Sequence, residues 1–186
     1  MPRALRNPMS VAGFLAWEER QELRYEFDGV QAVAVTDGTL AHDAITFNLR
    51  RALDARLGKG RCSAHGPNVK ILTADRIRYP DGVVTCTAQI PTHTIVDAPI
   101  VVFEVVSQGS SRTDRIDKLR DCLSASSIQR YVILEQDSAA ATVFVRAGGV
   151  WQVRTVTGAD DLEMPEIGIS MPIAACYAGL DLPATD

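Results

Sequence analysis

Neither a zinc framework nor a common enzymatic signature is present in this chain of 186 residues, and it has few cysteines, histidines and lysines. Its four cysteines, Cys62, Cys86, Cys122 and Cys176, form no C-x-x-C pair and have no neighbouring histidine partner, which excludes the usual zinc sites. Cys86 and Cys176 lie among apolar residues and are expected as free thiols that pack as small hydrophobes. His42, His65 and His93 are equally scattered. No H-E-x-x-H, G-x-S-x-G, Walker glycine loop or G-x-G-x-x-G occurs, so metalloprotease, serine hydrolase and nucleotide-fold readings lose their support. No apolar run is long enough to cross a bilayer. The nearest, Ala98 to Ser107, is short and interrupted by Glu104, and the N-terminus lacks the apolar core of a signal peptide. These absences leave the expectation of one cytoplasmic domain over residues 1–186, large enough to hold a core without staples.

The net charge of −4 argues against a protein that coats nucleic acid non-specifically, yet the charge is unevenly spread. From Ala44 to Arg78 eight basic residues (Arg50, Arg51, Arg56, Lys59, Arg61, Lys70, Arg76 and Arg78) face only Asp54 and Asp75. Beyond Arg154 every charged residue is acidic. The basic stretch reads equally as a solvated face or as a site for a polyanion.

Periodicity places the elements. Ser10 caps a helix through Phe14, Leu15 and Trp17 to about Arg20, with Glu18 and Glu19 expected in solvent. Leu23–Phe27 and Val30–Val35 alternate as a hairpin about Asp28-Gly29. His42–Leu57 carries Ile45, Leu49, Ala52, Leu53 and Leu57 at helical spacing and stops at Gly58 and Gly60. Strands follow at 68–72, 82–86 and 98–107. Pro99 to Val106 is apolar on both faces apart from Glu104, the pattern of a central strand covered on both sides. Thr113 is the expected cap of a helix over 114–125, and three more strands run at 129–134, 141–146 and 150–156. The fold class expected is α/β or α+β, a central mixed sheet flanked by helices.

Glu104 stands out within that strand, because a buried carboxylate needs a partner. A salt bridge to an arginine such as Arg112 would serve, and so would a divalent cation. Asp81, after Pro80, is turn chemistry if taken alone. It becomes a second ligand if its strand neighbours that of Glu104, which the intervening residues 87–97 are long enough to allow. Ser107 to Ser111 lead into the next helix, whose N-terminus is a natural place for an anion. Lys118, one of three lysines beside 16 arginines, shares a helix face with Asp114, as a surface ion pair or as an ammonium aimed at a phosphate.

The order Tyr25-Glu26-Phe27-Asp28-Gly29, His42, Pro80-Asp81, Glu104-Val105-Val106-Ser107, Asp114 with Lys118, and Tyr131-Val132-Ile133-Leu134 resembles the Uma-type restriction endonuclease family of the PD-(D/E)XK superfamily. The resemblance covers about residues 10–182. It implies a restriction endonuclease-like fold and a metal-dependent endonuclease that hydrolyses DNA. In that reading Asp81 and Glu104, with Glu26 nearby, hold Mg²⁺ or Mn²⁺, and Asp81, Glu104 and Lys118 are the catalytic set. His42, Ser107, Arg112 and Asp114 line the substrate. Cutting both strands with one site per chain would call for a homodimer. The sequence departs from the superfamily motif at Val106, where a lysine is usual, so Lys118 must supply that charge from the helix. Cys122 replaces a tyrosine, Glu135 an aspartate, and Ser107 to Ser111 a Ser-Pro-Ser-Thr loop. The alternative is a nuclease fold that binds nucleic acid or a protein partner without cutting.

Overall fold

The computed structural model describes residues 9–35, 38–106 and 112–182, with the side chains of 112–115 left aside. Ser10 accepts a hydrogen bond from Gly13 N–H at 3.1 Å and opens α1 (Val11–Glu18), as side-chain capping of the first helical turn requires. Next come β1 (Tyr25–Phe27), β2 (Ala32–Ala34) and α2 (Leu40–Leu57), then β3 (Ser63–His65), β4 (Ile71–Thr73), β5 (Arg76–Arg78) and β6 (Gly82–Thr85). The second half holds β7 (Pro99–Val106), α3 (Arg112–Ser124), β8 (Arg130–Glu135), β9 (Ala140–Ala147), β10 (Val150–Thr157), β11 (Asp161–Met164) and β12 (Ile169–Pro172).

Six strands form the main sheet in the order β10-β9-β8-β7-β6-β3, with β7 and β8 parallel and the other neighbours antiparallel. The expected mixed sheet is therefore present, and the apolar run of β7 lies inside it. Val101, Phe103 and Val105 face one side, against Ile45, Leu49 and Leu53 of α2 and Leu162, Met164 and Met171 of the β11–β12 hairpin. Val102 faces the other, with Val83, Tyr131, Ile71 of β4 and Cys122 of α3. Gly82 lets α2 approach: a Cβ there would stand 3.1 Å from Leu49.

Four short strands form a second sheet, β2-β1-β5-β4, all antiparallel. Phe27 and Ile77 point outward under α1, where Phe14 stacks on Phe27 with ring centroids 5.1 Å apart. The alternate residues, Glu26 and Arg78, must then point inward toward the main sheet and α3.

Several expectations change. Glu18 is buried, not solvated: Lys70 Nζ and the Tyr79 hydroxyl each meet its carboxylate at 2.5 Å. α2 starts at Leu40, capped by Thr39, two residues before His42. Thr113 lies within α3 and is not its cap. Cys86 is not a free thiol, because it forms a disulfide with Cys62. The ladder Ser63↔Thr85, carried one step further, places these two cysteines opposite one another. Cys122 and Cys176 are free and buried.

Candidate functional site

The register of the main sheet brings the two predicted acids together. Gly82 pairs with Phe103 in the antiparallel ladder of β6 and β7, so one step further Asp81 stands opposite Glu104. Opposed residues of an antiparallel pair share a face, with Cβ atoms about 5 Å apart. Asp81 is held there by two hydrogen bonds. Its Oδ2 accepts from Val105 N–H at 2.7 Å, and its Oδ1 lies 3.0 Å from His42 Nε2. Glu104 is buried within β7, on the side of the sheet that carries α3.

The second sheet closes over this end of β6 and β7. Glu26 is buried and accepts from three donors: Arg78 Nη1 at 3.1 Å and Tyr79 N–H at 3.0 Å at the end of β5 and, from α3, Lys118 Nζ at 3.2 Å. Arg78 also donates to Asp121 from Nε at 3.0 Å and Nη2 at 2.5 Å, while Arg76 meets the other oxygen of Asp121. Burial opposes the Arg78 charge, but these carboxylates raise its affinity for the proton above the ordinary value. The buried Tyr131 phenol feels the charge of these acids. Burial, then the negative charge of Glu104, with Asp81 and Glu26 adding, drives its pKa well above the usual range. Burial and the Glu104 charge do the same to the Cys122 thiol.

Of the residues singled out from the sequence, Asp81, Glu104, Glu26, Lys118 and His42 come together at this end of the sheet. Ser107 and the side chains of Arg112 and Asp114 fall outside the described part. Among the described residues no group of three or more His, Cys, Asp or Glu side chains is arranged to hold a metal. The donors still suit a hard cation that keeps several waters, since Mg²⁺ is commonly bound through one or two carboxylates, and Asp81 and Glu104 are such a pair. Glu26, with three donors on it, is placed to receive Lys118.

The basic stretch divides. Lys70, Arg76 and Arg78 serve ion pairs with Glu18, Asp121 and Glu26, so they form no surface patch. Arg50, Arg51, Arg56, Lys59 and Arg61 remain exposed. Along α2, Arg50 and Arg56 lie roughly 12–21 Å from His42 at 1.5 Å per residue, too far to touch the reacting atoms and near enough to meet neighbouring phosphates. Arg78 and Asp121 were missed from sequence. The alternation Arg76-Ile77-Arg78 was the available signal, because it reads as a strand with one charged face.

His42 supplies a prediction about stability. Its hydrogen bond to Asp81 raises its pKa against the opposing effect of burial. A histidine whose folded-state pKa is raised stabilises the fold below its unfolded value of about 6.5 and loses that contribution as pH rises through the folded value. In metal-free buffer, urea midpoints of the wild type should therefore fall between pH 6 and pH 8 more than those of His42→Gln. Parallel pH profiles for the two proteins would remove the pair as a source of stability.

Known proteins resemble the chain in sequence and in fold. The family model Uma2, "Putative restriction endonuclease", matches residues 11–174. The uncharacterized protein slr1290 of Synechocystis sp. is 28% identical over 183 residues, covering 96% of either chain. A second Synechocystis protein, the uncharacterized sll1609, is 23% identical over 133 residues, 69% of this chain and 75% of that one. The crystal structure of "a putative nuclease belonging to DUF820" from Anabaena variabilis superposes with a TM-score of 0.76 at 16% identity, covering 92% of this chain and 98% of that one.

Proposed function

Because the chain belongs to the Uma2 family of "Putative restriction endonuclease" proteins, we propose that it is a metal-dependent endonuclease that hydrolyses phosphodiester bonds of DNA at the Asp81–Glu104 pair. The observation that carries this reading is the register that sets Asp81 opposite Glu104, with Lys118 brought to the same end of the sheet through Glu26.

Asp81 and Glu104 would hold Mg²⁺ or Mn²⁺ through carboxylate oxygens. Such a cation lowers the pKa of a bound water and offsets charge on the scissile phosphate. The chain's own residues do the rest. His42 and the Val105 N–H fix the Asp81 carboxylate from two sides, so its free lone pairs keep one direction. Lys118, paired with Glu26, would direct its ammonium at a non-bridging phosphate oxygen, where negative charge grows as water attacks phosphorus and the P–O bond to the leaving oxygen breaks. The exposed arginines of α2 then meet phosphates farther along the duplex, which makes binding fall as salt rises.

A specific observation favours a second reading: Val106 occupies the usual position of the strand lysine, which suits a module that binds nucleic acid without cutting. Supercoiled plasmid at low salt separates the two. The expected result is nicked circles with Mg²⁺ or Mn²⁺ and none with EDTA. Plasmid retarded in a steeply salt-dependent way but left intact in both metals would replace the nuclease reading with the binding one.

A further inference from the structure

Four charged side chains close a ring between the second sheet and α3. One step beyond the Phe27↔Ile77 pair, Glu26 and Arg78 are opposed on neighbouring strands, and they meet at 3.1 Å. Lys118 and Asp121 are three residues apart on α3, hence on one side of that helix. Lys118 reaches Glu26 at 3.2 Å and Asp121 takes two bonds from Arg78, at 3.0 and 2.5 Å. The same side of α3 is therefore fastened to the same two strands at two places, with charges of alternating sign. The side chains of Glu26, Arg78 and Asp121 are 3–6% exposed, so water neither screens these three nor substitutes for a missing one, while Lys118, 21% exposed, is the member that reaches solvent.

Arg78 is the member that spans both attachments. Its planar guanidinium directs Nε and Nη2 at Asp121 and Nη1 at Glu26, a division of donors that the single ammonium of a lysine cannot reproduce. Tyr79 adds its N–H to Glu26, while its hydroxyl is held by Glu18, so the strand end carrying both donors is itself anchored under α1. The Glu26 carboxylate is thus fixed before Lys118 arrives.

We propose that Arg78 is a positioning residue: clamped by Asp121, it holds Glu26 in the orientation that receives Lys118, and so sets where the helix-borne ammonium stands relative to Asp81 and Glu104. A motif with its lysine on the strand takes that group's position from the sheet itself. With valine at 106, the position has to come from α3, and the Arg78–Asp121 clamp sets the height of α3 over the sheet. The consequence for catalysis rests on the nuclease reading above, whereas the placement of Lys118 does not.

The chain has only three lysines, Lys59, Lys70 and Lys118, so reductive methylation with ¹³C-formaldehyde gives a small set of resolved NMR signals at one fixed pH. Glu26→Gln assigns Lys118 and shows how far its signal travels when the pairing is lost. Arg78→Lys, which keeps the charge, and Asp121→Asn, which loosens the clamp from the other side, are each expected to move that signal in the same direction, with exposed Lys59 unmoved. A Lys118 signal displaced by Glu26→Gln but unmoved in both folded clamp variants overturns the proposal. In the cleavage assay Arg78→Lys should lower kcat by about tenfold with KM little changed, as loss of a supporting partner commonly does. An unchanged kcat with a displaced signal would overturn the catalytic consequence. A wild type that cuts nothing would overturn the nuclease reading, with the NMR result still deciding the placement of Lys118.

Discussion

Asp121→Leu is expected to destabilise the protein by about 3–5 kcal/mol, the range seen when one partner of a buried charge pair is removed. The side chain is only 3% exposed and takes Arg78 on one oxygen and Arg76 on the other. Leucine carries no carboxylate and is bulkier than aspartate, so it would leave the buried Arg78 guanidinium without its Asp121 partner and add overpacking to that loss. For a chain of this size that loss corresponds to a melting temperature lower by roughly 10 °C. The Arg120–Asp117 pair supplies the contrast. It spans three residues of the same helix, with side chains 61% and 40% exposed, so Asp117→Ala should change stability by less than about 1 kcal/mol. Urea unfolding of the three proteins checks both numbers. Equal midpoints for Asp121→Leu and Asp117→Ala would mean that the inner ring contributes no more than a surface ion pair.

That ring also marks the limit of what the sequence could tell. Elements with long periodic patterns were legible. α2 repeats its apolar residues over 18 positions, and β7 is apolar on both faces because it is covered on both. The short strands β3, β5, β11 and β12 were missed, since three or four positions give a period of two little room to declare itself. The acids Asp81 and Glu104 were legible as candidates because a polar residue in or beside an apolar strand is conspicuous. Their face-to-face placement needed the register. Arg78 and Asp121 are 43 residues apart, and each looks like an ordinary surface charge until the second sheet is folded onto α3. Glu18 misled for the same reason. Helix spacing assigns it no fixed side, and Lys70 and Tyr79, which draw it inward, come 52 and 61 residues later. The disulfide was hidden likewise, as Cys62 and Cys86 become neighbours only through the β3–β6 ladder.

Lys118→Ala is expected to lower the rate of DNA cleavage by about 10²–10³-fold, the usual loss when one charged donor to a developing oxyanion is removed. Glu104→Gln, which removes the charge of a metal ligand while keeping its shape, should lose at least as much. Loss from Lys118→Ala should fall on kcat, because the group acts where charge develops and not where the duplex is gripped. The departure at Val106 turns this into a sharper test. Val106 lies two residues after Glu104 on β7, hence on the same face, and it is half-buried at the end of the strand, so a lysine stem there can run along the sheet and place its ammonium beside the same pair of acids. Val106→Lys added to Lys118→Ala should restore cleavage by about tenfold or more, a gain well above what a surface charge gives through salt-dependent binding. Wild-type rates in Lys118→Ala would remove this lysine from the reaction. A double variant as slow as Lys118→Ala would show that the ammonium has to approach from α3, with the placement that Glu26 gives it. Restoration would show instead that the chemistry asks only for a positive charge beside the two carboxylates, and that strand and helix are interchangeable sources of it.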